Sequence, residues 1–155
     1  METTELEIKT RIQIAKPVSD VFEAIIYPEK MRHYFIAESS GIMEAGKKLT
    51  WKFPEFDMEV PVSVQEIIAN QQVSYQWDIG ERQTVVLIAL KEAGDNATLL
   101  TITEGSMPND EAGIKWLKSN TEGWANFLAC MKAYLEYGIN LRKGAFDFMK
   151  TTANP

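Results

Sequence analysis

The sequence predicts an α+β fold: a curved antiparallel sheet of about six to seven strands, two short helices after strand 1, and one long C-terminal helix across the sheet. Three observations lead there. Between Ile42 and Glu104, alternating apolar and polar segments follow one another, separated by Gly, Pro, Asn and Asp. From Asn109 to Gly138 the apolar period lengthens from two to between three and four, which is helical spacing. Strands joined by tight turns pair antiparallel, and a strongly twisted sheet can curl around a long rod.

In chain order, Leu6, Ile8, Thr10, Ile12 and Ile14 alternate with Glu7, Lys9, Arg11 and Gln13, a half-buried strand. Lys16-Pro17 ends it. Pro17 suits the first turn of a helix with Val18, Phe22 and Ile25 on one face. Pro28 marks a break, Glu29 to Tyr34 read as a second short helix, and Tyr34, Phe35 and Ile36 form an apolar cluster. Leu49, Trp51 and Phe53 then alternate with Thr50 and Lys52, and Pro54 to Asp57 is a turn. Met58, Val60, Val62 and Val64 point one way, with Glu66 next in phase; Pro61, which has no N–H to give, belongs at an edge or bulge. Val73, Tyr75 and Trp77 alternate with Ser74 and Gln76, and a Gly-containing turn spans 79–82. Thr84 to Leu90 is rich in β-branched residues, Gly94-Asp95-Asn96 signals a turn, and Thr98 to Glu104 closes the series. Trp51, Phe53, Tyr75 and Trp77 are expected to face the long helix.

On that helix one row reads Ile114, Leu117, Thr121, Trp124, Leu128, Met131, Leu135. A second row lies beside it: Trp116, Gly123, Phe127, Cys130, Tyr134, Tyr137. Lys115, Lys118, Ser119, Glu122, Asn126, Lys132 and Glu136 make the face expected to meet water. Asn109 or Asp110 can cap the start, and Gly138 can take the left-handed turn that ends it. Gly123 costs about 1 kcal/mol relative to Ala inside a helix, which close backbone approach to the sheet or a ligand would explain.

The chain of 155 residues fits a single domain over 1–155, with its core in about 6–138 and a C-terminal extension over 139–155. That extension carries Phe146, Phe148 and Met149. It folds back, continues the helix after a kink, or contacts a second subunit; the sequence leaves the three open, and with them monomer or homodimer. A formal net charge of −6 argues against nucleic acid and against an anionic membrane surface as partners. The single cysteine, Cys130, excludes an internal disulfide. With no leader-like run and no apolar segment near ~20 residues, a cytoplasmic setting is expected.

For chemistry, one histidine, His33, and one cysteine cannot make an N/S zinc site, so neither metal nor cofactor is expected. There is no glycine-rich phosphate loop and no nucleophile elbow. Cys130 lies beside the apolar stripe and reads as a buried, inert thiol rather than a nucleophile paired with His33. Glu66 and Glu104 are weighed as inward carboxylates able to act as acids; the plainer reading is a strand-end glutamate that reaches water. No catalytic residue is assigned.

The residues resemble a known family. IAKPVSDVFEAIIYPEKMRHYF looks like the opening of the activator of Hsp-ninety ATPase group, within the START-like, Bet v 1-like (SRPBCC) helix-grip superfamily. VSYQWD resembles its fifth-strand motif, LLTITEGSMP its last strand and EGWANFLACMKAYLEYG its terminal helix. The likeness covers about Ile8 to Gly138. Where the family often has Trp-Phe and His-Glu-Gly, this chain has Tyr34-Phe35 and Thr103-Glu104-Gly105. The resemblance implies a cavity between sheet and helix, which many members use to hold hydrophobic small molecules and some use for chemistry. With no recognisable catalytic set among these residues, binding of a small hydrophobic molecule without catalysis is expected in that cavity. Its expected lining is Trp51, Phe53, Val62, Tyr75, Trp77, Trp116, Trp124, Phe127 and Met131; the alternative for any one ring is ordinary core. It also implies two other readings: a chaperone partner, as an Hsp-ninety co-chaperone-like stress-response domain, and a cavity enzyme such as a cyclase or hydrolase.

Overall fold

The computed structural model describes residues 5–79 and 82–152. The strands are β1 (Glu5–Ile14), β2 (Glu38–Ser39), β3 (Lys48–Lys52), β4 (Glu59–Ile68), β5 (Gln72–Ile79), β6 (Arg82–Glu92) and β7 (Thr98–Pro108). Helices α1 (Val18–Ile26) and α2 (Pro28–Met31) follow β1; α3 (Glu111–Tyr137) and the short α4 (Phe148–Thr152) follow β7. The strands form one seven-stranded sheet in the order β1-β7-β6-β5-β4-β3-β2. Every neighbouring pair is antiparallel. β2 to β7 are thus a simple meander, and β1 closes beside the last strand, with Glu5 opposite Pro108 and Ile14 opposite Thr98. The turn read over 79–82 includes residues 80 and 81, which lie outside the described residues.

The period-two reading holds along most of the sheet. Ile8 and Ile14, Val73 and Tyr75, Val86 and Ile88, and Leu100 and Ile102 all turn inward and are buried. β4 departs from it. Val64 pairs with Tyr75 but Glu66 with Ser74, so Gln65 is an extra residue and the strand bulges there. A bulge reverses the side-chain phase. Glu66 is exposed as a result, and its carboxylate accepts from Gln72 Nε2 at 2.7 Å. Met58, at the other end of the inward row, is 58% exposed. Pro61 lies opposite Thr50, one residue past the last β4–β5 pair, Val62 with Trp77, so its missing N–H breaks no rung there. α2 stops at Met31, and the chain turns from 32 to 35 rather than staying helical to Tyr34.

α3 is held at both ends as its sequence requires. Asp110 is the N-cap, and its side chain accepts from Gly113 N at 2.8 Å. Gly138 sits at φ +66°, and its N–H closes the last turn. The helix lies nearest β1. Two residues of its supposed solvent face pin it there: Lys132 Nζ donates to Gln13 O at 2.8 Å, and Glu136 accepts from Ala15 N at 2.6 Å. Ile114 and Tyr137, placed on the apolar stripe by their spacing, are 42% and 69% exposed. Close backbone approach occurs at Gly113, where a Cβ would lie 1.8 Å from Pro108 O. At Gly123 an added Cβ meets nothing within 4 Å.

Between sheet and helix lies a packed cluster of rings. Phe35 stands edge-on to Trp51, Phe53 and Phe127 with centroids 5.5, 5.2 and 4.7 Å away. Trp51 meets Tyr75 and Trp77 in the same way at 5.2 and 6.1 Å. Such pairs add about 0.5–1.5 kcal/mol each beyond the apolar area they bury.

Candidate functional site

The extension after α3 folds back over one end of this ring cluster. Gly138 stops the helix, and Gly144, at φ +78°, turns the chain again. Arg142 then makes two hydrogen bonds to Glu55, Nη2 to Oε1 at 2.7 Å and Nε to Oε2 at 3.2 Å. Both partners are largely shielded, the side chains being 15% and 3% exposed. The guanidinium also lies over Phe146, 4.9 Å from the ring centroid, and over Phe35 and Phe53 at 6.0 Å.

What this strap encloses is a half-open cleft of about 350 Å³. Phe35, Phe53, Trp77 and Trp124 form its inner wall, continuous with the ring cluster. Phe56, Met58 and Val60 come from the turn before β4 and from its first residues. Arg142, Phe146 and Met149 come from the extension. The rim is polar: Asp78 at the end of β5, and Ser119, Asn120, Glu122, Gly123 and Asn126 along α3. The volume falls in the range of small-molecule sites, about 300–1,000 Å³, with the usual mixture of apolar wall and a few polar groups.

Behind the inner wall lies Glu104, fully buried on β7. Its Oε2 accepts from Trp77 Nε1 at 2.9 Å and Thr84 Oγ1 at 2.5 Å. Its Oε1 accepts from Trp124 Nε1 at 2.7 Å and Asn120 Nδ2 at 3.2 Å. Trp77, Trp124 and Asn120 are themselves pocket residues. One carboxylate therefore orients two indoles from two different elements, and each indole shows the cleft its ring rather than its N–H. Next to it, burial pushes the Tyr75 hydroxyl well above its ordinary range, with the Glu104 and Tyr34 charges acting in the same direction. The Tyr75 hydroxyl and the Trp51 N–H are buried and have no hydrogen-bond partner among the described residues.

Of the residues expected to line a cavity, Phe53, Trp77 and Trp124 do line this cleft. Trp51, Val62, Tyr75, Phe127 and Met131 are buried in the core beside it. Trp116 packs half-buried against that core and does not reach the cleft. Glu104 points inward, as one of the two readings of it expected, but its oxygens are occupied by donors and it stands behind the wall rather than in it. His33 stacks on Tyr134 at 4.9 Å, while Cys130 is buried, and desolvation raises its thiol pKa. Spacing gave no signal for Ser119, Glu122 and Asn126 of the α3 rim, which fall on the face that periodicity assigns to water, whereas Gly123 had one as a glycine inside the helix beside the apolar stripe. Phe56, Phe146 and Met149 had one: apolar residues in segments with no period to place them.

The family model described as Activator of Hsp90 ATPase homolog 1-like protein matches residues 15–136. The chain belongs to this family. No curated protein matches the sequence. Among solved structures, a Staphylococcus saprophyticus protein is 31% identical over 88% of this chain and 96% of its own, with a TM-score of 0.77. The Aha1 dimer from Colwellia psychrerythraea is 20% identical over 86% of this chain and 98% of its own, with a TM-score of 0.73. CalU16 from Micromonospora echinospora is 18% identical over 95% of this chain and 84% of its own, with a TM-score of 0.70. The last two share the fold. The family and these folds make the chain a helix-grip domain. The match ends at residue 136, so Arg142, Phe146 and Met149 bring to the cleft a wall from outside the matched region. Among the described residues, no helix is long and apolar enough to cross a membrane.

Proposed function

We propose that this domain binds a small, mainly apolar molecule in the cleft between α3, the ends of β4 and β5, and the C-terminal extension, without transforming it. The observation that carries this is the inner wall itself. Two indoles are held by one buried carboxylate so that their rings, not their polar edges, face a cleft of about 350 Å³. A site pre-organised in this way loses little conformational freedom on binding. The polar rim gives a bound molecule one end near water. The carboxylate best placed for chemistry, Glu104, is engaged by four donors and stands behind the wall, which favours holding over catalysis. A cytoplasmic setting fits a chain whose single cysteine is a buried free thiol.

The test is displacement of an environment-sensitive apolar dye, with native mass spectrometry of gently purified protein. Wild-type protein binds the dye or retains a small molecule, and Gly123→Leu, which sends a side chain into the cleft, abolishes both. Dye binding that survives Gly123→Leu rules the cleft out. A second reading, contact with a chaperone as the family's description suggests, is supported by family membership and by the likeness to the Aha1 dimer. Co-precipitation with purified Hsp90 separates it from the first, since plugging the cleft leaves a surface contact intact.

A further inference from the structure

The charges around the cleft narrow the class of molecule it takes; this step rests on the small-molecule reading above. Among the described residues, Arg142 is the one cationic side chain in its wall, and that guanidinium is already engaged twice by Glu55. Asp78 and Glu122 line the same cleft, and neither forms an ion pair among the described residues. Glu104, fully buried behind the indoles, accepts from Trp77, Thr84, Asn120 and Trp124, and no Lys, Arg or His among the described residues pairs with it. Glu104 is thus a buried carboxylate without a cationic partner behind the wall, Asp78 is half-buried in the cleft and Glu122 stands exposed at its rim, while the cleft's own cation is spent elsewhere. Buried or half-buried charge is ordinarily matched by an opposite charge.

The rings point the same way. Indoles that donate their N–H to a carboxylate keep electron density on the ring, and the face of such a ring attracts a cation. The fold already uses this attraction once, in the placement of Arg142 over Phe146, Phe35 and Phe53. We infer that the cleft takes a cationic amphiphile, an amine or quaternary ammonium group on an apolar body, in preference to a fatty acid or other carboxylate.

The experiment is isothermal titration calorimetry of the full chain at low salt with three ten-carbon probes: decyltrimethylammonium, decanol and decanoate. The half-buried Asp78, the exposed Glu122 at the rim and the buried Glu104 behind the wall together favour the ammonium over the carboxylate by about tenfold or more in Kd. Decanol falls between them. The gap narrows to about threefold or less in the Asp78→Asn/Glu122→Gln double variant, and it also narrows at high salt. Both side chains lie at the rim, so their removal leaves the fold in place. If decanol or decanoate binds as tightly as the ammonium, this inference falls and the small-molecule reading stands. If no probe binds, or if all bind Gly123→Leu as well as wild type, both fall together.

Discussion

Replacing Glu104 with Gln tests the structure at its most demanding point. The substitution keeps the shape of the side chain and exchanges one acceptor oxygen for an NH₂ donor. In wild type each carboxylate oxygen receives one indole N–H and one further donor: Trp77 with Thr84 on Oε2, Trp124 with Asn120 on Oε1. Thr84 can rotate and Asn120 can flip so that each offers an acceptor to the new NH₂. An indole N–H has no acceptor to offer. Whichever way the introduced amide sits, one tryptophan N–H faces another donor, fully buried and unpaired. An orphaned buried donor costs about 1–3 kcal/mol. The remaining bonds also lose the reinforcement of a charged acceptor, roughly half their strength. The sum is about 2–4 kcal/mol, a fall of about 5–15 °C in Tm for a chain of this size. Thr84→Val removes a single donor and leaves the carboxylate with three, so its cost is about 1 kcal/mol. Urea and thermal denaturation followed by tryptophan fluorescence measure both. If Glu104→Gln unfolds within about 0.5 kcal/mol of wild type, or if Thr84→Val is the more damaging change, the network described here does not hold the two indoles.

Four other outcomes follow from the same geometry. Gly123→Ala raises stability by about 1 kcal/mol, because helix propensity improves in open space, and differential scanning calorimetry reads it as a Tm about 2–4 °C higher. Gly113→Ala lowers stability by about 2 kcal/mol or more, since its Cβ would meet Pro108 O at 1.8 Å and backbone must shift. Arg142→Ala leaves Glu55 buried without its partner, and the extension then opens rather than bear that cost; hydrogen exchange of the Ala145 and Met149 amides accelerates while the global Tm moves by less than about 3 °C. The Glu136 carboxyl is held below its usual range first by the Ala15 N–H and then by Lys132, so its contribution is present above the unfolded-state pKa and is lost as pH falls through the lower folded value; Glu136→Gln removes that part of the acid sensitivity in urea titrations between pH 7 and about 3.

Much of the fold was legible because it rests on local period. Val73, Tyr75 and Trp77 alternate, Trp124, Leu128 and Met131 recur at helical spacing, and all are buried where those periods place them. Asp110 and Gly138 mark the helix ends by chemistry that needs no tertiary contact. What period cannot show is an extra residue such as Gln65, which turns Glu66 outward without altering the run of residue types around it. Nor can it separate a polar helix face that meets water from one that meets a cleft. Ser119, Asn120, Glu122 and Asn126 carry the same signature as Lys115 and Lys118, and only the fold-back of the extension distinguishes them. Arg142 and Glu55 lie 87 positions apart, a separation over which spacing carries no information.

The same contacts explain why the cleft lies at the edge of the ring cluster rather than at its centre. The middle of the sheet is already filled: Trp51, Tyr75 and Phe127 are each at most 2% exposed, Tyr75 meets Trp51 directly, and Phe35 links Trp51 to Phe127. The cleft opens where α3 presents small and polar residues, Gly123 among them with open space beyond it, and beside Asp78 near the end of β5. Such a notch has walls on two sides and would be shallow alone. The extension supplies the missing side with Arg142, Phe146 and Met149, held by one ion pair and ring contacts rather than by a deep core. A molecule seated against Trp77 and Trp124 therefore also touches the segment that covers it. Any preference it has for the closed extension must appear as stabilisation of that segment, by RT ln(1 + [L]/Kd) once closure is required for binding. Occupancy of the cleft and ordering of residues 139–152 are then two readings of one equilibrium. A ligand that binds tightly yet leaves exchange of the Ala145 and Met149 amides unchanged would be bound somewhere else.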